Sequence, residues 1–399
     1  MMAGSVLVAV LLTARSAVGF VTRTELQSYY SSTKKSIHAT RFLASSTTDV
    51  SAENSVSRIS TLQTLLTRHG APGSVECRAP NDLVAVESLQ DTPELVSRLS
   101  GPGELANLHP YLFPIVRSKS SGNYICAYRN PFVEEAERQP WPIVEAKLGG
   151  PGMSVLALNS EHLMRRIACE CDFDGTDDDT VRLYNEGLGM GLLKEQSLDL
   201  PYEPGSVSKL GYGAEKFVLL RVGPFPDLYQ KMAQAHAAKG DEQSSLIAAE
   251  TLNAKVPGFA SNFLFYARLL KSFPNREEES RDAARMCLRL PLSTIGLTSD
   301  ELKAVAILGK ICDESDPNQV ALQKLKDFYE KMREAERDED PKQGKTPEQI
   351  AIDEANRLID IAALESTAWS EVRPKIAHKF RSIGRDGMAN FIDFSGALV

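Results

Sequence analysis

Two apolar segments decide the fold of this chain: Leu112-Phe113-Pro114-Ile115-Val116-Arg117 and Tyr124-Ile125-Cys126-Ala127-Tyr128. Both contain β-branched and aromatic residues, which favour strands. The polar segment between them, residues 118–123, includes Gly122, whose lack of a Cβ suits a tight turn. The pattern predicts an antiparallel β-hairpin.

A second hairpin is predicted downstream, where residues 142–147 and 153–158 flank the glycine-rich segment 148–152. Four strands within about fifty residues indicate a small antiparallel sheet. The apolar face of such a sheet needs a covering layer, and we expect the adjoining helices to supply it.

Helical patterns lie on both sides of these strands. Apolar residues recur at helical spacing in residues 51–70, and Ser160 can cap a helix over residues 162–171. Residues 216–222 fit either a strand or a buried helical turn, because a short apolar run does not distinguish the two.

A repeat follows in the region after residue 226. Helices are predicted at residues 229–239 and 244–254, and again at 262–272 and 278–290. The prolines that close the two units, Pro257 and Pro291, are 34 residues apart, since 291 − 257 = 34. This period is typical of stacked helical hairpins. A third hairpin, residues 299–310 with 317–333, would continue the stack.

The first repeat unit resembles the tetratricopeptide family. It has small or aromatic residues at several of that family's positions: Tyr229, Ala233, Gly240 and Pro257. Leu252 and Met286 depart from the pattern, because a small alanine is expected at both places. The resemblance implies an array that presents a concave protein-binding face. An irregular helical bundle is the alternative.

The C-terminal part begins with a charged segment, residues 334–345, that we interpret as a linker. Thr346 and Gln349 then have the spacing of a capping box, with Pro347 in the first helical turn. A last short helix is predicted at residues 374–383.

The fold class predicted from these patterns is α+β: a small antiparallel sheet with covering helices, then an α-hairpin array and a C-terminal helix. The predicted segments are a signal peptide at 1–19, a transit peptide at 20–50, an α+β domain at 51–225, a helical-hairpin region at 226–333, a charged linker at 334–345 and C-terminal helices at 346–399.

The N-terminal residues indicate where the protein works. Residues 6–12 are apolar, and Ala17-Val18-Gly19 offers the small residues that a signal peptidase needs. Residues 20–50 begin with Phe20 and are basic and rich in serine and threonine, as transit peptides are. This order resembles the bipartite presequence of algae with complex plastids, which implies a plastid location. A secreted protein with a serine-rich tail is the alternative.

Bulk composition excludes some partners. The formal net charge is −8 and the isoelectric point is near 5.5, which argues against a general nucleic-acid-binding protein. No apolar run after residue 20 approaches the ~20 residues that cross a bilayer, so we predict no transmembrane segment in the mature chain. Peripheral contact with a membrane stays open.

The six cysteines are irregularly spaced, which favours isolated buried thiols over a disulfide framework.

One short motif suggests chemistry. Asp172-Phe173-Asp174-Gly175-Thr176 resembles the first motif of haloacid-dehalogenase-type phosphatases, which implies Asp172 as nucleophile and Asp174 as acid–base. The surroundings depart from that family: the motif should end a buried strand, but residues 165–171 favour a helix, and acidic residues 177–179 follow. An acidic loop between helices is the alternative.

No other pattern predicts a catalytic, metal or cofactor site. The aspartates near residue 172 do not fit a calcium loop, which needs glycine at its sixth position and glutamate at its twelfth. Cys169-Glu170-Cys171 lacks the second cysteine pair of a zinc site. The glycines at 187, 189 and 191 do not have the spacing of a dinucleotide fingerprint.

The function predicted from these observations is non-enzymatic binding of a protein partner in the plastid stroma. Residues 114–117 with 124–131 are similar to conserved plastid proteins of plants and algae. The most concrete form of the hypothesis is an assembly factor for a photosynthetic complex or the chloroplast ATP synthase. Two alternatives stay open: a phosphohydrolase that uses Asp172 and Asp174, and a small-ligand-binding protein that uses the sheet.

Overall fold

Both predicted hairpins are present, and they form one antiparallel sheet whose strands are adjacent in chain order. The strands are β1 (Val75–Glu76), β2 (Leu112–Arg117), β3 (Tyr124–Tyr128), β4 (Ile143–Ala146) and β5 (Met153–Ala157). This computed structural model describes residues 60–70, 75–76, 107–132, 141–147, 150, 152–176, 178–188, 202–298 and 301–395. The predicted signal and transit peptides lie outside the described residues.

The first hairpin forms for the reasons that the sequence suggested. Gly122 has a left-handed φ of 71°, and its amide donates to the backbone oxygen of Ser118 at 3.0 Å. The β2–β3 register shifts between Pro114 and Val116, where proline has no amide to donate to the ladder. Strands β2 and β3 are buried on both faces except at Arg117.

Five helices lie before and after strands β2 to β5 in the chain. They are α1 (residues 60–70, ending in the π-helical turn Leu66–Gly70), α2 (Ser160–Asp174), α3 (Asp178–Leu188), α4 (Ser206–Leu210) and α5 (Ala214–Arg221). Helix α2 packs against β5, while α3, α4 and α5 pack against α2. The cap of α2 is Asn159 and not Ser160: its side-chain oxygen accepts the amide of His162 at 2.7 Å. Residues 216–222, left undecided above, lie mainly in α5.

The next four helices form the two predicted hairpins. They are α6 (Pro226–Ala238), α7 (Glu242–Lys255), α8 (Ala260–Lys271) and α9 (Glu277–Cys287). The same contact recurs in both hairpins: the Ser245 hydroxyl donates to the backbone oxygen of Ala233, and the Ser280 hydroxyl donates to that of Ala267, each at 2.8 Å. The repeat is therefore visible in the hydrogen bonds, while membership of the tetratricopeptide family stays a prediction.

After a 3₁₀ turn (Leu292–Ile295), the third predicted hairpin corresponds to α10 (Leu302–Leu308) and α11 (Asn318–Gln343). Helix α11 continues to Gln343 and so occupies most of residues 334–345, which the sequence analysis interpreted as a linker. The physical reason lies in composition, because glutamate, lysine and arginine are strong helix formers even though they are too polar to pack in a core.

The C-terminal helices are α12 (Pro347–Glu365), α13 (Trp369–Arg381) and α14 (Asp386–Ser395). The capping box is confirmed: Thr346 accepts the amide of Gln349, whose side chain accepts the amide of Thr346. The prediction of a last helix at 374–383 was wrong in its bounds. Pro374 lies inside α13, where burial of Trp369 and Val372 extends the helix toward its N-terminus.

The C-terminal helices supply part of the cover of the sheet. The ring of Trp369 lies 5.0 Å from that of His109, Phe380 packs edge-on against Tyr111, and Phe391 packs edge-on against Trp141. The Arg373 guanidinium donates to the backbone oxygen of Leu108. The first and last parts of the described chain thus share one core, which confirms the predicted α+β class.

The buried His109 predicts a pH dependence of stability. Burial, together with the nearby Arg373, lowers the pKa of His109 from 6.5 to about 3. Between these values the unfolded chain binds a proton that the folded chain does not bind. The free energy of unfolding should therefore fall as the pH drops below 6.5, by up to about 1.4 kcal/mol per pH unit.

Urea unfolding between about pH 7 and about pH 4 measures this slope. The variant His109→Asn keeps an oxygen near the position of Nδ1, which accepts the amide of Tyr111, and it should flatten the slope. His378→Asn, at an exposed position of α13, should leave the slope unchanged. Equal slopes for His109→Asn and the parent protein would contradict the prediction.

Candidate protein-binding surface

The two carboxylates singled out by the sequence lie in the last turn of α2. The Asp172 carboxylate accepts the hydroxyl of Tyr202 at 2.6 Å and the amide of Gly205 at 2.9 Å. Burial is the main cause that raises the pKa of Tyr202, and the Asp172 carboxylate contributes, so the phenol stays protonated as a donor. Asp174 is exposed. Asp172 therefore ties α2 to the start of α4, and the pair lies on a helix and not at the end of a strand.

We expect Asp172→Asn to lower the free energy of unfolding by about 1–3 kcal/mol, because hydrogen bonds to a charged acceptor are lost at Tyr202 and Gly205. The matched control is Asp174→Asn, two residues away and exposed, which should change stability by no more than about 0.5 kcal/mol. Urea unfolding compares the two variants. A phosphohydrolase would behave differently: magnesium-dependent hydrolysis of a phosphomonoester would be lost in Asp172→Asn.

The thiols and imidazoles of the described residues do not form a reactive cluster. Cys126, Cys169, Cys171, Cys287 and Cys312 are free and buried. Burial raises the pKa of the Cys169 thiol to about 12, so it stays protonated near neutral pH. Within the described ranges, no three histidine, cysteine or acidic side chains are grouped as metal ligands.

The sheet itself offers little room for a ligand. Strands β2 and β3 are covered on both faces, as described above. A small cavity lies at the β4–β5 end of the sheet, with Glu145, Lys147, Ser154 and Thr298 in its lining. Glycines at positions 152 and 296 bring the two backbones close together there. The close approach indicates a packing seam between the sheet and the helical region.

Exposed apolar side chains concentrate at α2, α4 and α5, three helices that pack against one another. Four of the seven large apolar side chains that are exposed among the described residues lie here: Phe173 (45% exposed), Leu210 (39%), Tyr212 (59%) and Leu220 (70%). We call this set the α4–α5 surface. Isolated exposed apolar residues are ordinary, but a group of them indicates an interaction site.

Helix α5 shows why this surface is unusual. Its residues 217–220 are all apolar, whereas Glu215, Lys216 and Arg221 on the same helix are charged and exposed. Phe217 and Val218 are buried, whereas Leu220 faces outward. Leu220 is thus a large apolar side chain exposed among charged neighbours on α5, which suits it to contact with another molecule.

Charges around the α4–α5 surface are partly neutralised within the chain. Glu215 pairs with Lys231 at 3.1 Å, and Glu203 lies 3.5 Å from Lys209. Lys216 and Arg221 are exposed, and neither has a carboxylate within ion-pair distance among the described residues. The surface is thus apolar, with unpaired basic residues on its α5 side and the exposed Asp174 on its α2 side.

Sequence reasoning did not single out Tyr212 or Leu220. The available signal was the run of four apolar residues at 217–220, which the sequence analysis could not assign to a strand or a helix. Exposure depends on which side of α5 packs against the core, and a short segment without periodicity does not reveal that side.

Comparison with known proteins places the helical region in a family context. Residues 226–312 match the family model described as PAB middle domain, and residues 325–395 match that of the PAB C-terminal domain. The first match begins at the boundary predicted for the helical-hairpin region. No solved structure matches the chain.

A relative from Arabidopsis thaliana, the protein IN CHLOROPLAST ATPASE BIOGENESIS, chloroplastic, is 29% identical over 294 residues. The match covers 73% of this chain and 80% of the relative. It confirms the predicted plastid location and the predicted similarity of the chain's body to plant plastid proteins. No helix of the described part has the length and apolar composition that crossing a bilayer requires.

Proposed function

We propose that this chain is a biogenesis factor for the plastid ATP synthase and that it acts in the stroma by binding a protein partner. The observation that carries the proposal is the similarity over 73% of the chain to a chloroplast protein named for ATPase biogenesis. The similarity extends over most of the relative, so it is not limited to one shared module.

The structure supports a binding role through its surface. The α4–α5 surface presents a tyrosine and three other apolar side chains outside the core, and tyrosine is enriched among the residues that dominate the energy of protein interfaces. The helical hairpins add a second, elongated surface, as stacked hairpins do in many binding proteins. Contact with the thylakoid surface would be peripheral.

A deletion strain tests the biogenesis role. Loss of the protein should reduce the amount of assembled ATP synthase, while other photosynthetic complexes keep their normal amounts. The two quantities are measured side by side by native gel electrophoresis and immunoblotting. Reintroduction of the parent gene should restore the ATP synthase. A normal amount of assembled enzyme in the deletion strain would refute the proposal.

Affinity capture tests the binding role. Tagged protein, expressed in the deletion strain at its normal level, should retain at least one subunit of the ATP synthase from plastid stroma. A tagged stromal protein of similar size serves as the control for non-specific capture. If the tagged protein restores the strain yet retains no subunit, a role through binding is wrong even though the biogenesis role stands.

A further inference from the structure

We propose, on the basis of the proposed function, that the α4–α5 surface binds a helix of the partner protein that has an apolar face bordered by carboxylates. The inference rests on two observations that are independent of the comparisons. One is the exposed apolar group on α4 and α5, and the other is the unpaired basic border formed by Lys216 and Arg221.

The apolar group sets the shape of the ligand. Leu210 and Tyr212 lie at the end of α4 and in the turn that follows, and Leu220 lies near the end of α5. The same turn contains Gly211 and Gly213, both with positive φ and with open space where a Cβ would lie. The backbone is thus accessible as well, so an elongated element with a row of apolar side chains can approach. An amphipathic helix has such a row.

The charged residues at the edge of the α4–α5 surface determine which charge is favoured beside the apolar face of the bound helix. Glu203 and Glu215 are engaged by lysines of this chain, so the unpaired charges at α5 are Lys216 and Arg221, while the exposed Asp174 lies apart from them on α2. Carboxylates on the bound helix would complement them. The chain as a whole carries a net charge of −8, so this local basic border is an exception to its average. Complementary charge chiefly raises the association rate and the specificity.

Two other occupants fit less well. A second copy related by a two-fold axis would place like charges near each other, because Lys216 and Arg221 border the same patch in both copies. An anionic membrane is usually bound by clusters of about four to eight basic residues, more than this border provides. The charges therefore favour a carboxylate-bearing protein segment.

The test measures binding of individually purified subunits of the plastid ATP synthase to the full chain by biolayer interferometry. Leu220→Ser and Tyr212→Ser should each weaken binding of one subunit about tenfold or more. Ile247→Ser is the matched control, because Ile247 is also apolar and 53% exposed but lies on α7. It should change the affinity less than twofold.

The double variant Lys216→Glu/Arg221→Glu tests the contribution of the two basic residues to binding. We expect its association rate at low ionic strength to fall about tenfold and to lose most of its dependence on salt. Lys331→Glu/Lys375→Glu reverses two exposed lysines elsewhere and should keep both properties. The bound segment of the subunit, mapped by cross-linking to Ser208→Cys at an exposed position of α4, should be a helix with acidic residues beside its apolar face.

The outcomes separate this inference from the proposed function. If the parent protein binds no subunit, the binding role and this inference both fail. If binding survives Leu220→Ser and the charge reversal unchanged, the inference fails and the binding role stands. The inference would also be overturned if these variants abolished binding to anionic vesicles, or self-association of the protein, and left subunit binding unchanged. A lower melting temperature for Leu220→Ser would show that the chain itself covers this residue, which overturns it too.

Discussion

Asp360→Ala should destabilise the protein by about 3–5 kcal/mol. Asp360 is fully buried in α12, and its carboxylate accepts the amide of Leu292 at 2.8 Å and the hydroxyl of Tyr329 at 2.7 Å. It also pairs with the buried guanidinium of Arg333 at 3.3 Å. Removal of the carboxylate leaves the Arg333 guanidinium with Glu336 as its carboxylate partner among the described residues. The Leu292 amide and the Tyr329 hydroxyl, both buried, lose their hydrogen-bond acceptor at the same time.

Urea unfolding, followed by circular dichroism, measures the change. Asp327→Ala is the control: Asp327 lies on the exposed side of α11, where it accepts the side-chain amide of Gln323, and its loss should change stability by no more than about 0.5 kcal/mol. The double variant Arg333→Met/Asp360→Leu should recover part of the stability, since no buried charge is then left short of partners. Equal stability of Asp360→Ala and Asp327→Ala would contradict the prediction.

This cluster joins the two matched family regions. Leu292 lies within the segment 226–312, whereas Asp360, Tyr329 and Arg333 lie within 325–395. If the carboxylate is essential to their packing, Asp360→Ala should also increase amide exchange in the 3₁₀ turn at Leu292–Ile295. The control variant should leave this exchange unchanged.

Gly152→Ala should cost about 1–3 kcal/mol because the seam between the sheet and the helical region has no room for a methyl group. A Cβ at position 152 would lie 2.7 Å from the backbone oxygen of Leu297 and 2.9 Å from the carbonyl carbon of Gly296. Both are backbone atoms, so relief requires movement of the chain and not of a side chain. We expect β5 to separate from the turn at Gly296.

The melting temperature and amide exchange at Val155 in β5 report this change. Gly309→Ala is the matched control, since the nearest atom to its Cβ would be the end of the Ile311 side chain at 3.4 Å. Its φ of −74° is also permitted for alanine, so this variant should keep or slightly raise the stability. A melting temperature for Gly152→Ala equal to that of Gly309→Ala would show that the seam is looser than described.

The parts of the fold that the sequence predicted are those set by local chemistry. The turn at Gly122 and the cap at Thr346 each depend on residues no more than a few positions apart. Most of the segment 334–345 is helical and not a linker, because the charged residues that suggested a linker also favour a solvated helix, and α11 continues through Pro341 to Gln343. The start of α13 was missed because tertiary burial of Trp369 decides it.

The candidate site was harder to predict than the fold. The sequence around Asp172 and Asp174 resembles a phosphatase motif. In the structure, however, the Asp172 carboxylate accepts hydrogen bonds from Tyr202 and Gly205, which are 30 and 33 residues away in the chain. The α4–α5 surface has no motif at all. It is defined by side chains that stay outside the core, and only three-dimensional packing determines which these are.

The cover of the sheet has a consequence for the order of folding. The sheet is complete at Ala157, but its contacts with the C-terminal helices join residues far apart in the chain: 265 positions separate Leu108 from Arg373, and 258 separate Arg129 from Gly387. Domains fold from the N-terminus as a chain emerges, and contacts between distant residues form slowly. We therefore expect the sheet to stay partly uncovered until the last helices have been synthesised, and to expose apolar surface during that interval.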